Sequence, residues 1–286
     1  MRTLSAALVL LVLLACALPT ECAQAAPKIA ESYGPGPAEF TLATGSPGEL
    51  GLLKVLGEAF GKKEKARLNW VKAGSGESLD LLKAKAVDMI MVHAPAQEKA
   101  ALAEGWAARH ALIGSNEFYL VGPAKDPALV AKATSAADAY ARIAAAQAKF
   151  FSRGDNSGTH KKELAIWKAA NVSPAGDWYI VAKGFMKDTL KRADAEQGYF
   201  MTDSSTWGAE KNAAQGLVIL FRGDRVLINT YHTLCQPDGA TPGSAAAAKF
   251  IAFVGSPEGQ KLIRTFGQRE FGAALYNDAA YAKQYE

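Results

Sequence analysis

The run S-R-G-D-N-S-G-T-H at positions 152–160 gathers the side chains that an oxyanion needs in one short segment. Arg153 offers a planar fork of N–H donors matched to a carboxylate or tetrahedral oxyanion. Ser157 and Thr159 add hydroxyl donors, and Gly158 lets backbone approach closely. Phe150-Phe151 precedes the run and a helical pattern over 160–170 follows it, so the segment reads as a strand-to-helix turn. A helix start carries unpaired N–H groups and the positive end of the helix dipole, and both favour an anion. The plainer reading is a helix cap, with Asp155 or Ser157 at the N-cap and Arg153 on the surface.

The elements that must position this turn follow from hydrophobic patterning. Strands are predicted over 40–43, 68–72, 88–93, 118–121, 150–152, 178–181, 198–202, 217–221 and 226–235. Several are unbroken apolar runs, the pattern of strands covered on both sheet faces. Helices are predicted over 49–60, 77–85, 96–104, 135–148, 159–170, 185–195, 244–254 and 257–266. The alternation is that of an α/β fold. Gly122-Pro123 interrupts the pattern after one strand, and a long extended run near 226–236 reads as a return crossing. Two α/β lobes joined by a two-stranded hinge are expected, lobe 1 from 26–120 with 230–286 and lobe 2 from 121–229. Ligands of open α/β sheets sit beyond strand ends, so the interlobe cleft collects turns from both sides. Lobe 1 supplies two, Thr44-Gly45-Ser46-Pro47-Gly48 and Gly74-Ser75-Gly76-Glu77; taken singly, each reads as a plain strand-to-helix connection.

Residues 1–25 have the basic start, apolar core and Ala23-Gln24-Ala25 cleavage site of a secretory signal peptide. Leu13-Leu14-Ala15-Cys16 is a competing lipobox, in which Cys16 would be lipidated. Either outcome puts the folded part outside the cytoplasmic membrane, with a periplasmic location expected and no transmembrane segment after processing. The formal net charge of +4 is mild, and basic residues do not cluster, which argues against a nucleic-acid partner. The three cysteines form neither a disulfide framework nor a metal spacing, and Cys235 beside the apolar run 227–234 reads as a buried, inert thiol. No metal is expected, and the chain is expected to be a monomer.

Several blocks together resemble the periplasmic tungstate-binding proteins of ABC uptake systems, within the two-lobed periplasmic solute-binding class. They are L-A-T-G-S-P-G-E-L-G-L-L (42–53), A-V-D-M-I-M-V-H-A-P (86–95), N-E-F-Y-L-V-G-P-A-K-D-P (116–127), S-R-G-D-N-S-G-T-H-K-K-E-L (152–164) and W-K-A-A-N-V-S-P-A-G-D-W-Y (167–179). The resemblance implies a type II binding-protein fold, no cofactor, a closing cleft, and delivery of a small oxyanion to an ABC permease and its ATPase. It assigns Arg153 and Thr159 to the family's anion-holding arginine and threonine, with Ser157 and Gly158 in the same turn. Ser75 and Gly76 fall in the second contact loop, and Thr44, Gly45 and Ser46 in the first. That first loop departs from the family's T-T-T-S pattern and lacks two hydroxyl donors; 202–206 lacks the arginine of the family's T-D-R-G-T-like segment. Tungstate, molybdate, another tetrahedral oxyanion or a small carboxylate therefore all stand as ligands, and a ligand sensor docking a membrane receptor stands beside transport.

Two further classes are weighed against this reading. Ser157, His160, His93 and Asp155 resemble a hydrolase set, but no G-x-S-x-G elbow precedes the serine. His93 reads as a structural histidine with its hydrogen bonds satisfied. Arg153-Gly154-Asp155 matches an adhesion tripeptide, although glycine and aspartate at a helix start also serve to shape and cap it.

Overall fold

The computed structural model describes residues 26–286; the expected leader and Cys16 lie outside the described residues. Eleven strands are present among these: β1 Glu31–Tyr33, β2 Ala38–Thr44, β3 Ala66–Lys72, β4 Met89–Val92, β5 Ala108–Pro123, β6 Phe150–Ser152, β7 Tyr179–Val181, β8 Tyr199–Asp203, β9 Leu217–Phe221, β10 Ile228–Cys235 and β11 Asn277–Asp278. Their order is β1-β3-β2-β4-β10-β5-β8-β6-β7, with β9 and β11 also paired to β5. The helices are α1 Ser46–Glu49, α2 Leu52–Glu64, α3 Ser75–Lys83, α4 Pro95–Ala103, α5 Ala136–Ala145, α6 Gly158–Ala169, α7 Met186–Ala195, α8 Ser204–Glu210, α9 Ser244–Gly255, α10 Pro257–Thr265, α11 Gln268–Phe271 and α12 Ala279–Ala282.

Parallel strands β3, β2 and β4 form one half of the sheet, and parallel strands β8, β6 and β7 the other. Met89, Ile90, Met91 and Val92 are all buried because helices cover both faces of β4, which explains their unbroken apolar run. In the first half, Phe40, Phe60 and Phe250 pack with ring centroids 5.2–5.8 Å apart beneath α2 and α9. In the second, Tyr140, Phe150 and Trp167 pack with centroids 4.4–5.3 Å apart beneath α5 and α6.

Strand β5 joins the halves. Its first part pairs antiparallel with β10, from Ala108↔Cys235 to Glu117↔Ile228. Its second part pairs with β8, from Phe118↔Asp203 to Val121↔Phe200. Ile113 and Tyr231 belong to the first core, whereas Phe118 and Leu227 belong to the second. The chain thus crosses out on β5 and back on β10. Where the strands cross, Asn229 Nδ2 donates to Asn116 Oδ1 (2.8 Å), and Asn116 Nδ2 donates to Ser205 Oγ (2.9 Å) and Asp203 Oδ1 (3.2 Å).

Two sequence expectations change in form. The helix predicted over 49–60 is broken at Gly51, which adopts φ 90° between α1 and α2, a conformation that costs a side-chain-bearing residue energy. The strand predicted over 118–121 is only the tail of the sixteen-residue β5, whose first half carries too mixed a pattern to read as a strand. No helix among the described residues is long and apolar enough to cross a membrane.

Candidate functional site

Every parallel strand ends in a turn that leads into a helix, and three of these turns meet. Thr44 closes β2 ahead of α1; Gly74 precedes α3; Arg153 follows β6 in the turn to α6. Between them lies a small cavity, with about 10 Å³ open to the centre of a water-sized sphere, whose lining includes Thr44, Gly45, Ser46 and Ser75 from one side and Arg153 and Ser157 from the other. The sequence singled out all six. Gly76, Gly158 and Thr159 stand just behind the lining instead. Pro47 and Gly74, from the same two predicted turns, also line it, and residues that sequence reading did not assign to the site complete the wall: Met91, His93, Phe185 and Tyr231.

The cavity is small because its two sides touch. A Cβ on Gly76 would lie 2.7 Å from the Asn156 carbonyl oxygen, and one on Gly158 would lie 2.4 Å from Cε1 of the His93 ring. Lys161 Nζ donates to Gln97 Oε1 at 2.5 Å, and Lys72 Nζ sits 4.1 Å from the centre of the Phe185 ring. Glycine at 158 is required by this approach: any side chain would wedge α6 away from His93.

Arg153 is 4 % exposed and held on two sides. Its Nε donates to the Gly184 carbonyl at 3.2 Å and its Nη2 to Asp155 Oδ2 at 2.5 Å, while the guanidinium carbon lies 5.6 Å from the centre of the Phe185 ring. Those contacts use part of the five-donor fork and leave the rest for a guest. Asp155 Oδ1 also accepts from the Ser157 amide at 3.1 Å, so one carboxylate fixes both the guanidinium and the helix start. Ser157 is the N-cap of α6, accepting from the His160 amide at 3.2 Å. Its hydroxyl hydrogen stays free to donate, so cap and anion contact are compatible roles for one side chain. Gly158 and Thr159, like Ser75 and Gly76 of α3, occupy first-turn positions whose N–H groups have no intrahelical partner.

The hydroxyls differ in what they can offer. Thr44 Oγ1 donates to the Met91 carbonyl at 2.7 Å, so its hydrogen is already engaged. Ser75 Oγ accepts from the His93 amide at 3.4 Å and keeps its hydrogen available. The Thr159 hydroxyl is buried without a partner. His93 is not the satisfied histidine the sequence suggests: its Nδ1 is sealed from solvent and has no partner. Burial, then the Arg153 charge, lowers its pKa to about 4, so the ring facing the cavity is neutral at neutral pH. His160 Nδ1 accepts from the Asn156 amide at 3.1 Å, so it does not serve Ser157 as a base.

A second buried polar cluster lies behind His93. Glu98, fully buried, accepts from the Ala94 amide at 2.6 Å, and its Oε2 lies 3.0 Å from His110 Nε2 and 2.9 Å from His232 Nδ1. His232 Nε2 reaches Glu286 at 3.0 Å. These are metal-ligand types, but the two imidazoles stack at 4.3 Å with planes only 24° apart. Ring-nitrogen lone pairs lie in the ring plane, so near-parallel stacked rings do not aim at one ion. The cluster is an ion-pair clamp. Burial opposes the Glu98 charge, yet the His110 hydrogen bond, the close His232 imidazole and the Ala94 amide outweigh it and hold its pKa down to about 2.

With this geometry established, comparisons decide the family. A family model described as a PBP superfamily domain matches residues 30–258. The chain is 36% identical over 241 residues to the tungstate-binding protein TupA of Peptoclostridium acidaminophilum, spanning 83% of this chain and 84% of that protein. The chain belongs to the tungstate-binding protein family of the PBP superfamily. Solved structures of the family share its architecture. The tungstate ABC transporter structure from Geobacter sulfurreducens is 38% identical, with TM-score 0.73 over 81% of this chain and 100% of that one. The tungstate-binding protein TupA of Desulfovibrio alaskensis G20 is 34% identical, with TM-score 0.69 over 84% and 98%. The fold is therefore the two-lobed α/β fold of type II periplasmic binding proteins.

Proposed function

We propose that this chain is the extracytoplasmic binding component of an ABC importer and captures a tungstate-type oxyanion in the Arg153 cavity. The observation that carries the reading is the convergence of a buried guanidinium with the starts of α3 and α6 on one closed space. Arg153 supplies the charge, Ser46, Ser75 and Ser157 supply hydroxyl donors, and Gly45, Ser75, Gly76, Gly158 and Thr159 supply backbone N–H groups. Thr44 shapes the wall; its hydroxyl hydrogen is given to the Met91 carbonyl, so that hydroxyl is no donor to the anion. Fixed donors in a space closed to water replace the hydration shell of the anion without reorganising. The two cores shift the lobe limits expected from the sequence, 26–120 with 230–286 and 121–229: 26–113 with 231–286 and 118–227 pack as the lobes, and 114–117 with 228–230 act as the hinge. Bending there opens the cavity, and the closed form presents both lobe surfaces to a membrane permease served by an ATPase. Binding without turnover fits the arrangement, because no histidine ring or carboxylate among the described residues is hydrogen-bonded to the hydroxyl of Ser46, Ser75 or Ser157; those of Ser75 and Ser157 accept from backbone N–H groups.

The family resemblance favours tungstate, and the missing first-loop hydroxyls make molybdate the competitor to test. Thermal-shift titration with tungstate, molybdate, sulfate, phosphate and a small carboxylate is the decisive experiment, since a ligand of the folded state raises Tm at saturation. Tungstate is expected to give the largest shift. A protein whose Tm none of the five moves does not bind oxyanions, and the reading fails.

A further inference from the structure

One buried carboxylate in the second lobe has no part in holding the anion. Glu163 lies on α6 one turn beyond Thr159, on the same helix face, and is 2% exposed. Its Oε1 accepts from Tyr179 Oη at 2.7 Å and from Trp167 Nε1 at 3.2 Å. The groups that act on it are neutral or negative. From β7 comes Tyr179, from α5 Tyr140, from β6 Ser152, from α6 itself Trp167, and from the turn Asp155, whose charge acts on it unfavourably. The hydroxyl oxygens of Ser152, one residue before Arg153, and of Thr159 are both buried without partners.

Resting on the anion-binding reading, we propose that capture of the oxyanion is coupled to uptake of one proton by Glu163. A dianion arriving at the start of α6 adds negative charge within the same interior that holds the unpaired carboxylate. Water screens little there, so like charges repel and the carboxylate is the one that can discharge. The step is a protonation only: the carboxylate takes a proton from solvent and becomes a carboxylic acid, with no bond to the anion. The acid keeps an oxygen to accept from Tyr179 and gains a hydrogen to donate, for which the partnerless hydroxyl oxygens on either side are acceptors. Burial, only partly offset by its hydrogen bonds, already pushes the Glu163 pKa up to about 7, so the charge sits where modest perturbation moves it. His93, with a pKa of about 4, is neutral near neutrality and has no extra proton to hand to Glu163.

The test is calorimetric titration of the whole protein with sodium tungstate in buffers of different ionisation enthalpy, repeated between about pH 6 and about pH 8. Wild type is expected to take up a fraction of a proton per tungstate near neutrality, with affinity falling several-fold across that range. The neutral isostere Glu163→Gln is expected to bind tungstate with no proton uptake and a flat pH profile. Tungstate binding by wild type without proton uptake overturns the coupling, and this measurement decides even if the variant folds poorly. Uptake that persists in Glu163→Gln overturns the assignment to Glu163. No tungstate binding at all overturns the anion reading beneath it.

Discussion

Arg153 and Glu98 are both buried charges, 4% and 0% exposed, yet their surroundings follow opposite plans. Around Glu98, each carboxylate oxygen has its donor, the Ala94 amide on one side and His110 on the other, and His232 adds an ion-pair partner at 2.9 Å. Around Arg153, Asp155 and the Gly184 carbonyl take part of the fork, and the starts of α3 and α6 beside the cavity carry further N–H groups with no intrahelical partner. The clamp is closed within the protein, whereas the cavity has donors in excess of acceptors. That excess, more than the presence of a charge, is what marks a place for an outside anion.

The contrast can be broken most sharply at the clamp. Removing His232 leaves the Glu98 carboxylate buried with one partner fewer, and His232→Ala is expected to cost about 3 kcal/mol of folding stability, as breaking a buried pair does. Tungstate affinity should stay within about twofold of wild type, a change too small to register as a lost contact. The stability difference has a pH signature. Burial disfavours charged His232, but Glu98 and Glu286 outweigh it and hold its pKa above the ordinary 6.5. The part due to His232 is thus fully present below 6.5 and lost as pH rises through the folded-state value. The part due to Glu98 is present above 4.5 and lost as pH falls through about 2. Tm of the two proteins across pH checks this, and a pH-independent difference would dissolve the clamp.

Arg153→Ala attacks the other cluster. It should weaken oxyanion binding by roughly tenfold to hundredfold, the loss of a charge-assisted contact of about 1.5–3 kcal/mol, while the protein remains folded. Equal affinities by calorimetry would remove Arg153 from the site. Gly158→Ala places a methyl group against the His93 ring and should weaken binding by about tenfold, consistent with overpacking of 1–3 kcal/mol on closure. Unchanged affinity would mean that the two sides need not meet. Ser75→Ala, which deletes one neutral donor, should cost about three- to tenfold; no change would assign the Ser75 hydroxyl to His93 alone.

How much of this was legible in the residues depends on distance along the chain. The strand-to-helix turns at 44–48, 74–77 and 152–160 are local, and their glycines, hydroxyls and flanking apolar runs mark them directly. The state of each hydroxyl is not local: Thr44 is engaged by the Met91 carbonyl, 47 positions away. His93 follows an apolar strand like many buried histidines, and only the approach of Gly158 and Tyr231 from distant segments places its ring at the cavity. Helix α8 escaped notice because Asp203-Ser204-Ser205-Thr206 looks like a polar loop. In the fold the Asp203 carboxylate caps it through the Thr206 amide at 2.8 Å.

The paired crossing of β5 and β10 has a mechanical consequence. A single connecting strand would let one half of the molecule swivel about it, but two ribbons bonded side by side resist swivelling and yield mainly to flexure across their common width. The stitch between Asn116 and Asn229 ties the ribbons at that point. Relative motion of the halves is thereby funnelled into a single jaw-like coordinate, so that an observer outside the molecule could read whether the jaws hold a guest from one angle alone.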